Sequence, residues 1–289
     1  MSVSLETRLS RIERRIHAQR QHAGALVYVD PVFFAQQRLG FQPDHWQEQV
    51  LQSQSKRLLL NCCRQSGKST TTAVLSLHQA LFFPRSLILL ISPSLRQSSE
   101  LFKKVTDLLA LLPVRPALTE DNRLSLRLKN GSRIVSLPSK EETVRGFSGA
   151  SLIIEDEAAR VRDDLYLAIR PMLAVSKGRL ILMSTPWGKR GHFFEAWENG
   201  GASWERIHIT GYDCPRISPE FLAEEKADMP ENWFKSEYLG IFTDAADSVF
   251  SYEQVMNAVS GEVLPFFDSP TPHTNGIAST DVAPLLVDA

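Results

Sequence analysis

Two short runs in this 289-residue chain combine residue types that handle phosphate and metal. The first is Arg64-Gln65-Ser66-Gly67-Lys68-Ser69-Thr70, which follows the apolar run Arg57-Leu58-Leu59-Leu60-Asn61 and opens a helical stretch from Thr70 to about Leu81. A strand, a tight loop and a helix N-terminus in that order aim several backbone N–H groups at one point, which suits the phosphates of a nucleotide. Lys68 would neutralise β and γ oxygens, Ser69 would ligate Mg²⁺, and Gln65, Ser66, Gly67 and Thr70 would line the same cradle. Cys62 stands where the full phosphate-loop pattern has its first glycine. The second run is Ile153-Ile154-Glu155-Asp156-Glu157, an apolar strand ending in carboxylates about ninety residues later. Asp156 is read as the Mg²⁺-holding residue and Glu157 as the group that orients and polarises a water for in-line attack. Glu155 leaves open a slip of one residue, with Glu155 and Asp156 in the two roles.

Three further groups fit the same chemistry. Ser184 and Thr185, in Met183-Ser184-Thr185-Pro186, end another apolar run and can sense a γ-phosphate by hydrogen bonding, although Ser-Thr-Pro also favours a plain turn. Trp46 and Gln47, in Phe41-Gln42-Pro43-Asp44-His45-Trp46-Gln47, offer an aromatic for stacking on adenine and an amide for its edge. Arg64 and Arg145 are both candidates for the cation that stabilises charge as the phosphate bond breaks, in cis or from a neighbouring subunit. The stretch Ser92-Pro93-Ser94-Leu95-Arg96-Gln97-Ser98 reads equally well as a nucleic-acid backbone contact and as a solvated loop.

The elements that must position these residues are short buried strands separated by helices. Runs at 57–61, 86–91, 152–154 and 179–184 are continuously apolar, as strands covered on both faces are, which predicts a mostly parallel sheet in a three-layer α/β domain. Asn130-Gly131 between two alternating runs predicts a hairpin. Residues 1–22 read as a basic amphipathic helix, 23–213 as the phosphate-binding domain, 214–262 as a helical linker subdomain and 263–289 as a linker or tail. A formal net charge of −1 gives no global pull toward nucleic acid, so any such contact must be local. Three cysteines are too few for a disulfide framework, and no apolar run has membrane-spanning length, which together predict a reducing, cytoplasmic setting.

Taken in order, these motifs resemble the ATPase domain of the large terminase subunit of tailed bacteriophages. The resemblance is carried by Trp46-Gln47, Arg64-Gln65-Ser66-Gly67-Lys68-Ser69, Lys129-Asn130-Gly131-Ser132, Val144-Arg145-Gly146-Phe147, Ile153 to Ala159, Ser184-Thr185-Pro186-Trp187-Gly188 and Glu237 to Phe242. It spans about residues 35 to 250. The resemblance implies a P-loop NTPase fold of the additional-strand, RecA-like type with a small helical C-terminal subdomain. It also implies ATP and Mg²⁺ as cofactors, and a homo-oligomeric ring that drives double-stranded DNA into a procapsid. The implied partners are a portal protein and a small terminase subunit, in the host cytoplasm. Large terminases also carry a nuclease. Asp281 could be the first carboxylate of such a domain, but its other acidic ligands are not in this sequence, so no nuclease activity is expected of it. A helicase-like or DNA-remodelling ATPase and a nucleotide-binding adaptor without turnover are the competing readings.

Overall fold

The computed structural model describes residues 29–139, 144, 146–244, 250 and 252–259. The expected basic helix over 1–22, Arg145, and the tail with Asp281 lie outside the described residues. The chain divides into two compact units, Met1–Asp247 and Ser248–Ala289.

The first unit opens with two short helices, α1 (Pro31–Leu39) and α2 (His45–Gln52), each started by an aspartate. The Asp30 carboxylate accepts from the N–H groups of Val32 and Phe33, and Pro31 at the first helical position supplies the fixed φ that a helix start favours. Strand β1 (Arg57–Cys62) then leads through the phosphate loop into α3 (Lys68–Phe82). The order continues with β2 (Leu87–Ser92), α4 (Leu95–Ala110), β3 (Leu118–Asp121), β4 (Ser125–Leu128), β5 (Arg133–Pro138) and β6 (Leu152–Asp156). It closes with α5 (Asp163–Ile169), β7 (Arg179–Ser184), α6 (Gly191–Asn199), β8 (Glu205–Ile209), α7 (Pro219–Asp228) and α8 (Glu231–Leu239). In the second unit, α9 (Tyr252–Ala258) is the described helix.

The eight strands form one sheet in the order β3-β4-β5-β2-β6-β7-β1-β8. From β5 to β8 every neighbouring pair is parallel, and β3 and β4 add an antiparallel edge. Successive side chains on a strand point to opposite faces. One face carries Leu58, Leu60, Ile88, Leu90, Ile154, Ile181 and Met183 into a core shared with α1 to α4. The alternate residues Leu59, Leu89, Ile91, Ile153, Leu180 and Leu182 are equally buried on the other face. This is the expected three-layer sheet, and the register sets Asn61 beside Ser184 and Asp156 beside Met183.

Three local features differ from the sequence expectation. Strands β3 and β8, at the two ends of the sheet, were not anticipated, because Leu118–Asp121 is largely polar and Glu205–Ile209 mixes polar with apolar residues. Within the helical linker subdomain expected over 214–262, the chain breaks between α7 and α8, since Pro230 has no N–H to continue α7 and forces Met229 into an extended conformation. The Ser92–Ser98 stretch is no loop: it spans the end of β2 and the start of α4, whose N-cap Ser94 accepts from the Gln97 N–H.

After β8 the chain packs on both sides of residue 214. Cys214 belongs to the main core, while Leu222, Phe234 and Tyr238 form a small cluster of their own with Ile217, Met229 and Leu239.

Candidate nucleotide site

The site is built where β1, β6 and β7 end side by side. At the end of β1, the Cys63 N–H donates to the Ile209 carbonyl and the Arg64 N–H to the Glu237 carbonyl, both at 2.8 Å. Two left-handed residues, Gln65 (φ 62°) and Gly67 (φ 96°), then turn the chain into α3. The helix begins at Lys68, with Ser69 and Thr70 half-exposed in its first turn.

Lys68 is buried and its ammonium lies 3.0 Å from Glu157 Oε1. Burial acts to lower the Lys68 pKa, but the Glu157 and Asp156 carboxylates outweigh it, so the net direction is upward. Asp156 ends β6 on the same face of the sheet. Its carboxyl is pushed up to about 6, chiefly by burial, with Lys68 opposing and Glu157 adding to the rise. Glu157 holds a left-handed conformation (φ 53°) that is unusual outside glycine, and its N–H donates to Asp156 Oδ1 at 3.0 Å. The loop lysine and both carboxylates therefore form one electrostatic cluster, although about ninety residues separate them in sequence.

The pleat turns Glu155 to the opposite face. There it is fully buried, and its Oε1 lies 2.8 Å from His192 Nε2. His192 Nδ1 lies 3.0 Å from Asp163 Oδ1, and its ring stacks on Tyr166. Burial lowers the His192 pKa, but its hydrogen bonds to the Glu155 and Asp163 carboxylates, with their charge, reverse this and hold it above its ordinary value. Asp156 and Glu157 thus face Lys68, and Glu155 faces away.

The remaining candidates are placed differently from one another. Ser184 is fully buried and its hydroxyl donates to the Thr185 carbonyl at 2.7 Å, while Thr185 is also buried. The Arg64 side chain is 67% exposed and lies 3.6 Å from Glu237 Oε2. Trp46, expected to stack on the base, is 4% exposed and packs in the main core. Gln47 is 1% exposed, and its Oε1 accepts from the Asp44 N–H at 2.9 Å, closing the α2 capping box. Reading an adenine edge with Gln47 would require that cap to open.

One residue at the loop was missed from sequence. Arg216 donates through Nη2 to the Ser66 carbonyl at 2.6 Å, and its Nη1 lies 2.7 Å from Asp44 Oδ2. No local pattern marks it, since it contacts the loop across 150 residues of chain.

A hydroxyl at Ser69 and the carboxylate of Asp156 are hard oxygen donors of the type that Mg²⁺ takes together with phosphate oxygens and water. Among the described residues no group of three or more His, Cys, Asp or Glu could hold a metal ion.

Comparison with known proteins gives a consistent picture. A family model described as "Terminase large subunit, T4likevirus-type, N-terminal" matches residues 59–256. The terminase large subunit of Thermus virus P23-45 is 29% identical over 248 residues, covering 74% of this chain and 51% of that protein. The corresponding subunit of Thermus phage G20c matches to the same extent. The chain thus spans about half the length of the curated relatives it matches. Among solved structures, the large terminase ATPase domain of Thermus phage P74-26 superposes with a TM-score of 0.65 at 25% identity, covering 75% of this chain and 100% of that one. A large terminase from a thermophilic bacteriophage, solved with ADP, has the same fold at 13% identity, with a TM-score of 0.59 over 69% of this chain and 53% of that one.

Proposed function

The chain belongs to the terminase large subunit family, of which it matches the N-terminal region, and from that membership we propose that it hydrolyses ATP with Mg²⁺ to drive double-stranded DNA into a procapsid. The observation that carries this reading is the Lys68–Glu157 pair at 3.0 Å with Asp156 beside it. Lys68 is poised to leave Glu157 for the β and γ oxygens once ATP enters the loop. That exchange would release the Glu157 carboxylate to accept a proton from water and aim it at the γ-phosphorus. Gln65, Ser66, Gly67, Lys68, Ser69 and Thr70 would line the phosphate cradle with N–H groups and hydroxyls. Ser69 and Asp156 would hold Mg²⁺, which would supply charge neutralisation to the phosphates.

Arg64 and Arg145 remain the proposed cations for the developing charge, with Arg145 able to act on a neighbouring subunit of a ring. Ser184 and Thr185 would report the loss of γ-phosphate. The link from that segment to the C-terminal helices is short: Ser236 Oγ donates to the Pro186 carbonyl at 2.8 Å, and Asn61 Nδ2 to the Gly240 carbonyl at 2.8 Å. A portal protein and a small terminase subunit are the proposed partners, in the host cytoplasm. Among the described residues no helix is long and apolar enough to cross a membrane.

The test is Glu157→Gln, which keeps shape and removes the base. ATP turnover should fall by about 10²- to 10⁴-fold with nucleotide binding retained. Turnover within a few-fold of the parent would sink the assignment.

A further inference from the structure

Trp46 packs in the core and Gln47 is held in the α2 cap, and the geometry offers a further, exposed surface for the nucleobase. We propose that Arg216 is the nucleobase-stacking residue, presenting its guanidinium plane to the purine of ATP. This inference rests on the ATPase reading above.

The direction of the bound nucleotide follows from sheet order. Asp156 and Glu157 end β6, which lies beyond β7 on one side of β1. Lys68 reaches toward that side to meet Glu157. The γ-phosphate end is therefore toward β6, and an extended nucleotide has its nucleoside on the β8 side of the loop. Helix α2 lies on that side, tied to β8 by the Ser53 hydroxyl, which donates to Glu205 Oε2 at 2.6 Å. Asp44 and Gln47 come from the start of α2, and Arg216 from the segment just after β8.

These groups meet at Gly67. A Cβ there would lie 2.8 Å from Gln47 Nε2 and 3.3 Å from Arg216 Nη2, so both side chains flank the same side of the loop. Gln47 is sealed, whereas the Arg216 side chain is 47% exposed. Both terminal nitrogens of Arg216 are engaged in the plane: Nη1 with the Asp44 carboxylate, at 2.7 and 2.9 Å, and Nη2 with the Ser66 carbonyl. Those contacts fix the plane of the guanidinium and leave its faces as the binding surface. A planar delocalised cation stacks on aromatic rings, which the ammonium of a lysine does not do as a flat surface.

The experiment compares ATP with inorganic tripolyphosphate, which has the phosphates and no base. Wild type, Arg216→Ala and Arg216→Lys are assayed for ATP turnover, with tripolyphosphate as a competitive inhibitor and Lys68→Ala as the turnover blank. Stacking predicts that both Arg216 variants raise the KM for ATP about tenfold. The effect falls on KM and not on kcat, and the inhibition constant of tripolyphosphate stays put. Equal weakening of ATP and tripolyphosphate would mean that Arg216 only shapes the loop, and would overturn the proposal. An unchanged KM in Arg216→Ala, or full rescue by Arg216→Lys, would overturn it as well. If wild type turns over no ATP above the Lys68→Ala blank, the failure lies in the ATPase reading itself.

Discussion

Gly67→Ala tests whether the loop, the capping glutamine and Arg216 form one packed unit. Gly67 sits at φ 96°, where an L-residue pays roughly 1–2 kcal/mol for its Cβ. The new methyl would also meet Gln47 Nε2 at 2.8 Å and Arg216 Nη2 at 3.3 Å. Gln47 cannot swing aside without breaking its bond to the Asp44 N–H, because it is buried. Overpacking of that kind costs a further ~1–3 kcal/mol. The sum, about 2–5 kcal/mol, corresponds to a Tm drop of roughly 4–20 °C for a unit of this size. Gly40→Ala is the control: φ is 64° and nothing lies within 4 Å of its Cβ, so only the conformational cost of about 1–2 kcal/mol applies. Thermal unfolding with and without ADP gives both readouts. Gly67→Ala should lose stability beyond the control and also lose the ADP-induced rise in Tm, whereas Gly40→Ala should keep that rise. If the two variants unfold together and both respond to ADP, the packing argument around Gly67 is wrong.

Two further outcomes follow from the buried charges and thiols. The Asp156 carboxyl has a folded pKa of about 6 against an ordinary 3.8, so its proton favours the folded state below about pH 4 and that contribution is lost as pH rises through about 6. Nucleotide-free Asp156→Asn should therefore be more stable than the parent at pH 8, by on the order of 2–3 kcal/mol, with the gap closing near pH 4. Thermal unfolding across that range checks it, and a variant no more stable at pH 8 would refute the account; its ATP turnover should be abolished. Burial pushes the Cys62 thiol up to about 12, so native protein at pH 8 should leave Cys62 unalkylated by iodoacetamide until it is unfolded. Peptide mapping of alkylated sites reads this, and rapid native labelling of Cys62 would contradict it.

Much of the fold was legible because buried parallel strands are written as unbroken apolar runs. Leu58-Leu59-Leu60, Leu87 to Ile91 and Leu152-Ile153-Ile154 all read that way. Edge strand β8 was not, since Glu205-Arg206-Ile207-His208-Ile209 is the alternation of a surface segment. The phosphate loop was legible because its chemistry is local: the lysine, hydroxyls and glycine are contiguous. Glu155, Asp156 and Glu157 could be told apart only once the pleat set Glu155 and Asp156 on opposite faces and a left-handed turn after β6 brought Glu157 to Lys68. The burial of Trp46 was not legible, because residue type says what a ring can do and not whether it is exposed. Arg216 was invisible for a different reason: its partners Ser66 and Asp44 are at least 150 residues away, and folding alone brings them together.

Beside the Arg64–Glu237 ion pair, four hydrogen bonds hold α8 and its C-cap to the site, and they share a trait. Arg64 N–H, Asn61 Nδ2 and His208 Nε2 bind the carbonyls of Glu237, Gly240 and Leu239, and Ser236 binds the carbonyl of Pro186. In each case the accepting partner is main chain. Peptide oxygens survive almost any substitution, so of the side chains of α8 these four bonds depend on that of Ser236 alone. A comparison of residue identities along this helix would then understate how strongly it is coupled to the phosphate loop. A graft of a foreign helix with the same backbone path would be a fairer measure.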